Sequence, residues 1–523
     1  MRGATYGLGL LLIGSLTLGS LARGQAVPPN ASIATLRSAL DSGRLRSETL
    51  VRHYLKRIDA LNHRGPALNA VISLNADALA AARALDRRRR AGDKLGPLEG
   101  IPVLIKDNIE TQDPMPTTAG SLALQNNFAA HDAPIVAALR SAGAIILGKT
   151  NLSEWANFRS THSMSGWSAV GGLTRNPYVL DRTTCGSSSG SGAAVAADLA
   201  PAALGTETDG SVTCPASMNG LVGLKPTVGL LSQQGIVPIS RSQDTAGPMA
   251  RSIADVAIML GAMTGHDYAG ELSAHALEGR RVGVLRFKAG ADPEMYLVYE
   301  HALAQLRAAG ATLVNVETPD MDAIRSAEQT VTHDEFKDGI DAYLATTPPS
   351  VATRDLAALI AFNRSSSQEL RYFGQDRFER AEATGGVGDA DYAAARERAK
   401  RLAGAEGIDR LLHADDLQLL VAPTTRPAWR VDVIFGDPSS DSSTRLPAVA
   451  GYPHLTVPMG QVRGLPVGLS FIGPARSEQL LLNCGFAFEA RAGGFVAPTF
   501  IPTLEASLLG ASPAAAAADP RER

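Results

Sequence analysis

Cysteine is scarce: the chain holds three in 523 residues. That is too few for a disulfide framework, and none stands at metal-ligand spacing. Cys185 and Cys214 lie near two serine-rich loops and are close enough in the chain to approach each other, but small buried packing residues are the expected role. Cys484, in Leu480-Leu-Leu-Asn-Cys-Gly-Phe-Ala-Phe488, reads as helix core. Histidine pairs are missing as well. The ten histidines include no His-x-x-x-His or His-x-His, and His131, His162 and His454 are expected to serve packing or surface roles. Neither sign of charge is in excess: 49 basic residues face 52 acidic ones, for a net charge of -3. No nucleic-acid surface is implied. The strongest basic run, Arg87 to Arg90, closes an expected helix over Ala76 to Arg90, where cations meet the negative end of the helix.

Long apolar runs are absent beyond the N terminus, where Arg2 precedes the glycine-rich apolar stretch Leu8 to Leu21 and then Ala22-Arg-Gly-Gln-Ala26. This pattern predicts a cleaved secretory signal over residues 1–25, and with it a periplasmic or secreted location without stable membrane association. The run is short for a bilayer span. At the other end, the alanine-rich stretch over residues 511–523 reads as a flexible tail.

Between these ends the patterning is that of an α/β protein. Residues 31–90 read as helical, with apolar positions at helical spacing in Ser47-Glu-Thr-Leu-Val-Arg-His-Tyr-Leu-Lys-Arg-Ile58. From Ile101 onward helices alternate with short apolar runs, as in Ala133 to Arg140 followed by Ala144-Ile-Ile-Leu147. A core over residues 96–285 is followed by a mainly helical stretch at 320–415, expected to form a peripheral cap. Within it Phe362, Tyr372 and Phe373 are candidates for the wall of a cleft or for core packing. Strand character returns in residues 416–505 at Leu417 to Pro423 and Leu455-Thr-Val-Pro458. About 500 residues exceed an ordinary single core, so a large core with insertions or two domains is expected over 26–510.

The chemistry sits in three segments: Gly100-Ile-Pro-Val-Leu-Ile-Lys-Asp107, Cys185-Gly-Ser-Ser-Ser-Gly-Ser-Gly192 and Gly205-Thr-Glu-Thr-Asp-Gly-Ser-Val-Thr-Cys-Pro215. Acyl transfer needs a nucleophile, a base to take its proton, and donors for the oxygen where charge develops. Ser211 follows the turn-forming Asp209-Gly210, so the backbone N–H groups of Thr208, Asp209, Gly210 and Ser211 can converge as an oxyanion hole. Lys106 ends an apolar run, where burial lowers an amine's pKa toward neutrality and lets it act as a base. A second hydroxyl is needed to span the gap, and Ser187, Ser188 and Ser189 are all candidates.

Residues 96–107, 185–197 and 205–227, the last ending in Gly-Leu-Lys-Pro-Thr, resemble the diagnostic regions of the amidase signature family. Gly143 to Glu154, Gly171 to Pro177, Val421 to Thr425, Gly451-Tyr-Pro453 and Gly464 to Gly468 extend the likeness over most of residues 30–505. The resemblance implies the amidase-signature fold: a mixed β-sheet core covered by helices on both sides, with a largely helical cap. It makes Lys106 the general base, Ser187 the bridging serine after a cis peptide bond, and Ser211 the acylated nucleophile. It implies hydrolysis of small-molecule or peptide amides through an acyl-enzyme, with no cofactor and no metal.

Two features depart from the commoner family pattern. Ser189-Gly190 stands where two glycines are usual, and Glu207-Thr-Asp-Gly-Ser211 replaces an Asp-x-Gly-Gly-Ser loop. Together with Glu154-Trp-Ala-Asn157 and Ser165-Gly-Trp167, these variants resemble the peptide-amidase branch, which acts on peptide C-terminal amides. The alternatives are a noncatalytic binding protein on the same scaffold and a glutamine-hydrolysing amidotransferase subunit. The intact Lys106, Ser187 and Ser211 set argues against the first, and an export signal against the second.

Overall fold

Runs such as Pro102–Lys106 and Ile145–Thr150 have every side chain buried. Strands of that kind must be covered on both faces, which is the position of inner strands in a helix-flanked sheet. The computed structural model describes residues 26–286, 293–438 and 442–505; the expected signal segment and the tail at 511–523 lie outside the described residues.

The strands in chain order are β1 Val71–Leu74, β2 Pro102–Lys106, β3 Ile145–Thr150, β4 Trp167–Ser168, β5 Gly172–Leu173, β6 Ala202–Glu207, β7 Val222–Lys225, β8 Thr245–Ala250, β9 Arg281–Val284, β10 Thr312–Asn315, β11 Leu419–Pro423, β12 His454–Val462 and β13 Leu465–Ile472. Among the described residues, eleven of them form one sheet in the order β1-β3-β2-β6-β8-β7-β12-β13-β11-β9-β10, while β4 and β5 pair separately. The sheet is mixed. β2 runs parallel to β3 and β6, and β9 parallel to β10 and β11, whereas β8, β7, β12 and β13 pair antiparallel with their neighbours.

The N-terminal helices Ile33–Asp41, Ser47–Leu61 and Ala78–Ala91 precede β2, apart from the short edge strand β1. Ser32 caps the first by accepting from the Thr35 N–H, which satisfies a donor that the helix leaves unpaired. Arg88 and Arg89 in the last turn of the third helix make ion pairs with Asp93, Glu99, Asp86 and Asp41, so half of this basic run is paired within the chain.

Helices Met321–Thr346, Leu356–Ser365, Asp376–Glu382, Ala390–Ala403 and Arg410–Ala414 make up the peripheral helical region. Aromatic packing joins it to the body: Phe336 stacks on Phe378 at 5.1 Å between ring centres and lies 4.5 Å from Phe158, and Trp155 meets Phe378 edge-on at 5.8 Å. Buried Arg159 forms ion pairs with both Glu154 and Glu369 at the same junction. Phe362 packs into this cluster, while Tyr372 and Phe373 lie against Trp167 at 5.4 and 5.3 Å, so all three serve packing. No described helix is long and apolar enough to cross a membrane.

One expectation is overturned. Cys185 and Cys214 form a disulfide with their Cα atoms 5.9 Å apart, and are not unpaired packing residues. The reason is spatial: the backbone N–H of Ser188 donates to the Ser211 carbonyl at 3.1 Å, so the two serine loops lie side by side and bring the thiols together. Cys484 is free and buried in helix Glu478–Ala492.

Candidate active site

β2 and β6 are parallel neighbours, and both end at the same edge of the sheet. Their last residues therefore emerge together, at the end of parallel strands where α/β proteins place ligands. Lys106 closes β2, and Thr206 and Glu207 close β6. The Lys106 Nζ lies 2.8 Å from Thr206 Oγ1, 3.3 Å from Thr206 O and 2.7 Å from Ser187 Oγ. Full burial brings its pKa down to about 7, against the opposing pull of Asp244 and Glu207. Burial also lowers Lys149 and Lys225, each to about 8. Those two amines donate elsewhere, to Ile109 O and Thr117 Oγ1 and to Pro226 O respectively, so among the described residues Lys106 is the buried lysine bonded to a serine hydroxyl.

The structure distinguishes the three serines of the Cys185 segment. Ser187 follows a cis peptide bond from Gly186 and presents its hydroxyl to Lys106. Ser188 turns its hydroxyl to the backbone of Thr206, and Ser189 donates to Cys185 O at 2.6 Å while opening helix Ser189–Ala196. That helix is built of small residues, all buried. The reason is visible at Gly190, where a Cβ would lie 2.3 Å from Ala70 O and 2.5 Å from Asn151 O. Only a residue without a side chain lets the backbones approach so closely.

Ser211 sits at the end of the loop after β6. Its Oγ forms no hydrogen bond among the described residues, and the residue is 8% exposed, opening into a cavity of about 250 Å³. The loop is anchored from several sides. Glu207 accepts from the Val212 and Thr213 N–H groups at 2.8 and 2.9 Å, and Thr208 Oγ1 donates to Asp244 at 2.6 Å. Asp209 accepts from Thr444 Oγ1 at 2.6 Å and pairs with Arg445 at 3.2 Å. Gly210 has φ +79°, a conformation that favours glycine, and a Cβ there would meet Thr444 Oγ1 at 2.9 Å. The N–H groups of Asp209, Gly210 and Ser211 donate to no described acceptor, which leaves them available to an incoming oxyanion.

The cavity wall combines Ala156, Asn157, Phe158 and Gly186 from the body with Arg325, Glu328, Gln329, Thr332 and Arg377 from the peripheral helices. Trp155, Ala156 and Asn157 all have positive φ, so the segment singled out in the sequence is an irregular backbone turn at the cavity rim. The three histidines stand elsewhere. His131 and His162 are exposed. His454 is buried in β12 against Ser470 Oγ at 2.6 Å, and burial with Lys225 nearby lowers its pKa to about 3. Sequence reasoning named Asp209 for its backbone N–H but missed its side-chain pairing with Arg445, and it missed Thr206, Glu328 and Arg377. Their partners are far away in sequence, and no local pattern marks them.

A sequence profile described as Amidase matches residues 49–482. The native peptide amidase of Stenotrophomonas maltophilia is 51% identical in a solved structure, with a TM-score of 0.86, covering 90% of this chain and 98% of that one. A probable amidase of Arabidopsis thaliana is 39% identical over 486 residues, covering 88% of this chain and 89% of that protein. A putative amidase of Schizosaccharomyces pombe is 35% identical over 506 residues, covering 88% of this chain and 85% of that protein. The chain belongs to the amidase family and is an amide-hydrolysing enzyme.

Proposed function

We propose that this enzyme hydrolyses the C-terminal amide of peptides, releasing the free acid and ammonia, with Lys106 as base, Ser187 as relay and Ser211 as nucleophile. The observation that carries the reading is the hydrogen bond of the fully buried Lys106 amine to Ser187, beside a Ser211 hydroxyl that faces the cavity unpaired. A neutral amine has two donors and one lone pair. Donation to Thr206 O and Oγ1 leaves the lone pair for the Ser187 proton.

Ser187 then takes the proton of Ser211 as Ser211 Oγ bonds to the amide carbon, and the N–H groups of residues 208–211 hold the tetrahedral oxygen. Collapse breaks the carbon–nitrogen bond while the proton returns from Lys106 through Ser187 to the departing nitrogen. Water enters by the same relay, its proton passing to Lys106, and the acyl–serine bond breaks with Ser211 reprotonated. The peptide substrate is supported by the likeness to the Stenotrophomonas enzyme and by a cavity with room for roughly one or two residues. The apolar stretch Leu8 to Leu21 supports export to the periplasm or the medium.

The test is ammonia release from amidated peptides, simple aliphatic and aromatic amides, and glutamine, with Ser211→Ala in parallel. Ser211-dependent turnover of amidated peptides is expected. Turnover confined to small amides or to glutamine would overturn the substrate assignment, and full activity in Ser211→Ala would overturn the nucleophile.

A further inference from the structure

Three cations line the cavity that Ser211 faces: Arg325, Arg377 and Arg445. Two have anionic partners. Arg445 joins Asp209 and Glu328, and Arg325 pairs with Asp322 at 2.7 Å. Arg377 has none. Its guanidinium makes no hydrogen bond or ion pair with any described residue and lies over the Phe158 ring, 5.7 Å from its centre.

The carboxylates nearest in effect are already engaged. Glu328 accepts from Arg445 Nε at 2.6 Å and from Gln243 Nε2 at 3.1 Å, using both oxygens. Asp376 accepts from Ser160 Oγ, Thr161 N and Thr161 Oγ1 and pairs with Arg380. Arg377 is held in helix Asp376–Glu382 with its backbone N–H on Arg159 O. Burial disfavours its charge and lowers its pKa, with Arg380 and Arg445 adding to that effect and Asp376 and Glu328 opposing it. A guanidinium facing a cavity with a ring behind it and no counter-ion is suited to an anion carried in by the ligand, because a planar fork of donors matches a carboxylate.

We propose that Arg377 is a specificity-determining residue that receives a carboxylate of the substrate, so that amides whose acyl residue bears an acidic side chain are preferred. The inference rests on the peptide-amide reading above and narrows it. Phe158 packs against the guanidinium, and the occupied carboxylates of Glu328 and Asp376 leave its donors to the substrate. A substrate with a cationic side chain meets Arg377 unshielded and is disfavoured.

The experiment compares kcat/KM for the α-amides of N-acetyl-glutamate, N-acetyl-methionine and N-acetyl-lysine, chains of similar length and different charge. A glutamate-to-methionine ratio of about ten or more is expected for the unmodified enzyme, the effect of one charge-assisted contact. Arg377→Gln should bring the ratio close to one, and Arg377→Glu should turn the preference toward lysine. Arg377→Lys keeps the charge and should keep much of the ratio, which separates loss of charge from misfolding. Turnover of all three amides without discrimination, or a ratio unchanged in Arg377→Gln, would overturn the inference alone. No turnover of any of the three, with other amides still hydrolysed, would remove the peptide-amide reading and this inference together.

Discussion

Thr206 Oγ1 stands 2.8 Å from Lys106 Nζ and 2.9 Å from Asn108 Nδ2, so the lysine is oriented by the end of the neighbouring parallel strand. The contact has a measurable sign. Protonated Lys106 cannot accept the Ser187 proton, and its pKa lies at about 7. Activity is therefore expected to be low in acid, to rise about tenfold per pH unit below that value, and to level off above it. Thr206→Val removes an acceptor that favours the ammonium, so the acid limb should move to lower pH while the plateau falls about tenfold. A kcat/KM profile across pH 5 to 9 checks both. Lys106→Arg should be inactive, since a guanidinium holds its proton throughout this range.

The Asp209–Arg445 pair fixes the nucleophile loop beside Ser211. Asp209→Asn or Arg445→Met should loosen the N–H groups next to Ser211. A fall in kcat of about tenfold to a hundredfold is expected, with a smaller change in KM, because the oxyanion donors act mainly in the transition state. Steady-state kinetics separate this from a binding defect. A raised KM with kcat intact would show that the pair serves substrate binding instead.

The Cys185–Cys214 disulfide spans a sequence separation of 29 and encloses both Ser187 and Ser211. Replacing both cysteines by serine should cost about 3 to 4 kcal/mol of stability by the chain-entropy argument. Differential scanning calorimetry should show a lower transition temperature. The serine loops are joined at this point, so kcat should fall more than KM. Treatment of the unmodified enzyme with a thiol reductant should reproduce the change, and the double variant should not respond to the reductant.

Much of the architecture was legible because burial and chain spacing write themselves locally. The helix expected over residues 76–90 is Ala78–Ala91, and the apolar runs ending at Lys106 and Pro423 are strands β2 and β11. The Ser/Lys set was legible because glycine-rich turns next to apolar elements restrict where a backbone can go. What the residues alone left open was the choice among Ser187, Ser188 and Ser189, since all three share one segment and differ only in the direction of their hydroxyls. The disulfide was misread for a related reason: three cysteines suggest no framework, and only the adjacency of the two loops makes a pair of them. Arg377 and Arg445 were illegible because a cation's role depends on which anions reach it. Arg445 finds Asp209, 236 positions earlier, and Arg377 finds none among the described residues.

The shape of the cavity also sets which bonds are within reach. Ser211 shares the lining of a recess with Arg325, Gln329 and Thr332 from the long helix Met321–Thr346. A bond in the middle of a polypeptide has chain leaving on both sides and would need a through-going groove to meet such a serine. A chain end needs only one exit. On the peptide-amide proposal, such a recess favours a chain end over an internal bond, so intact proteins are expected to pass uncut where amidated peptides lose their last group.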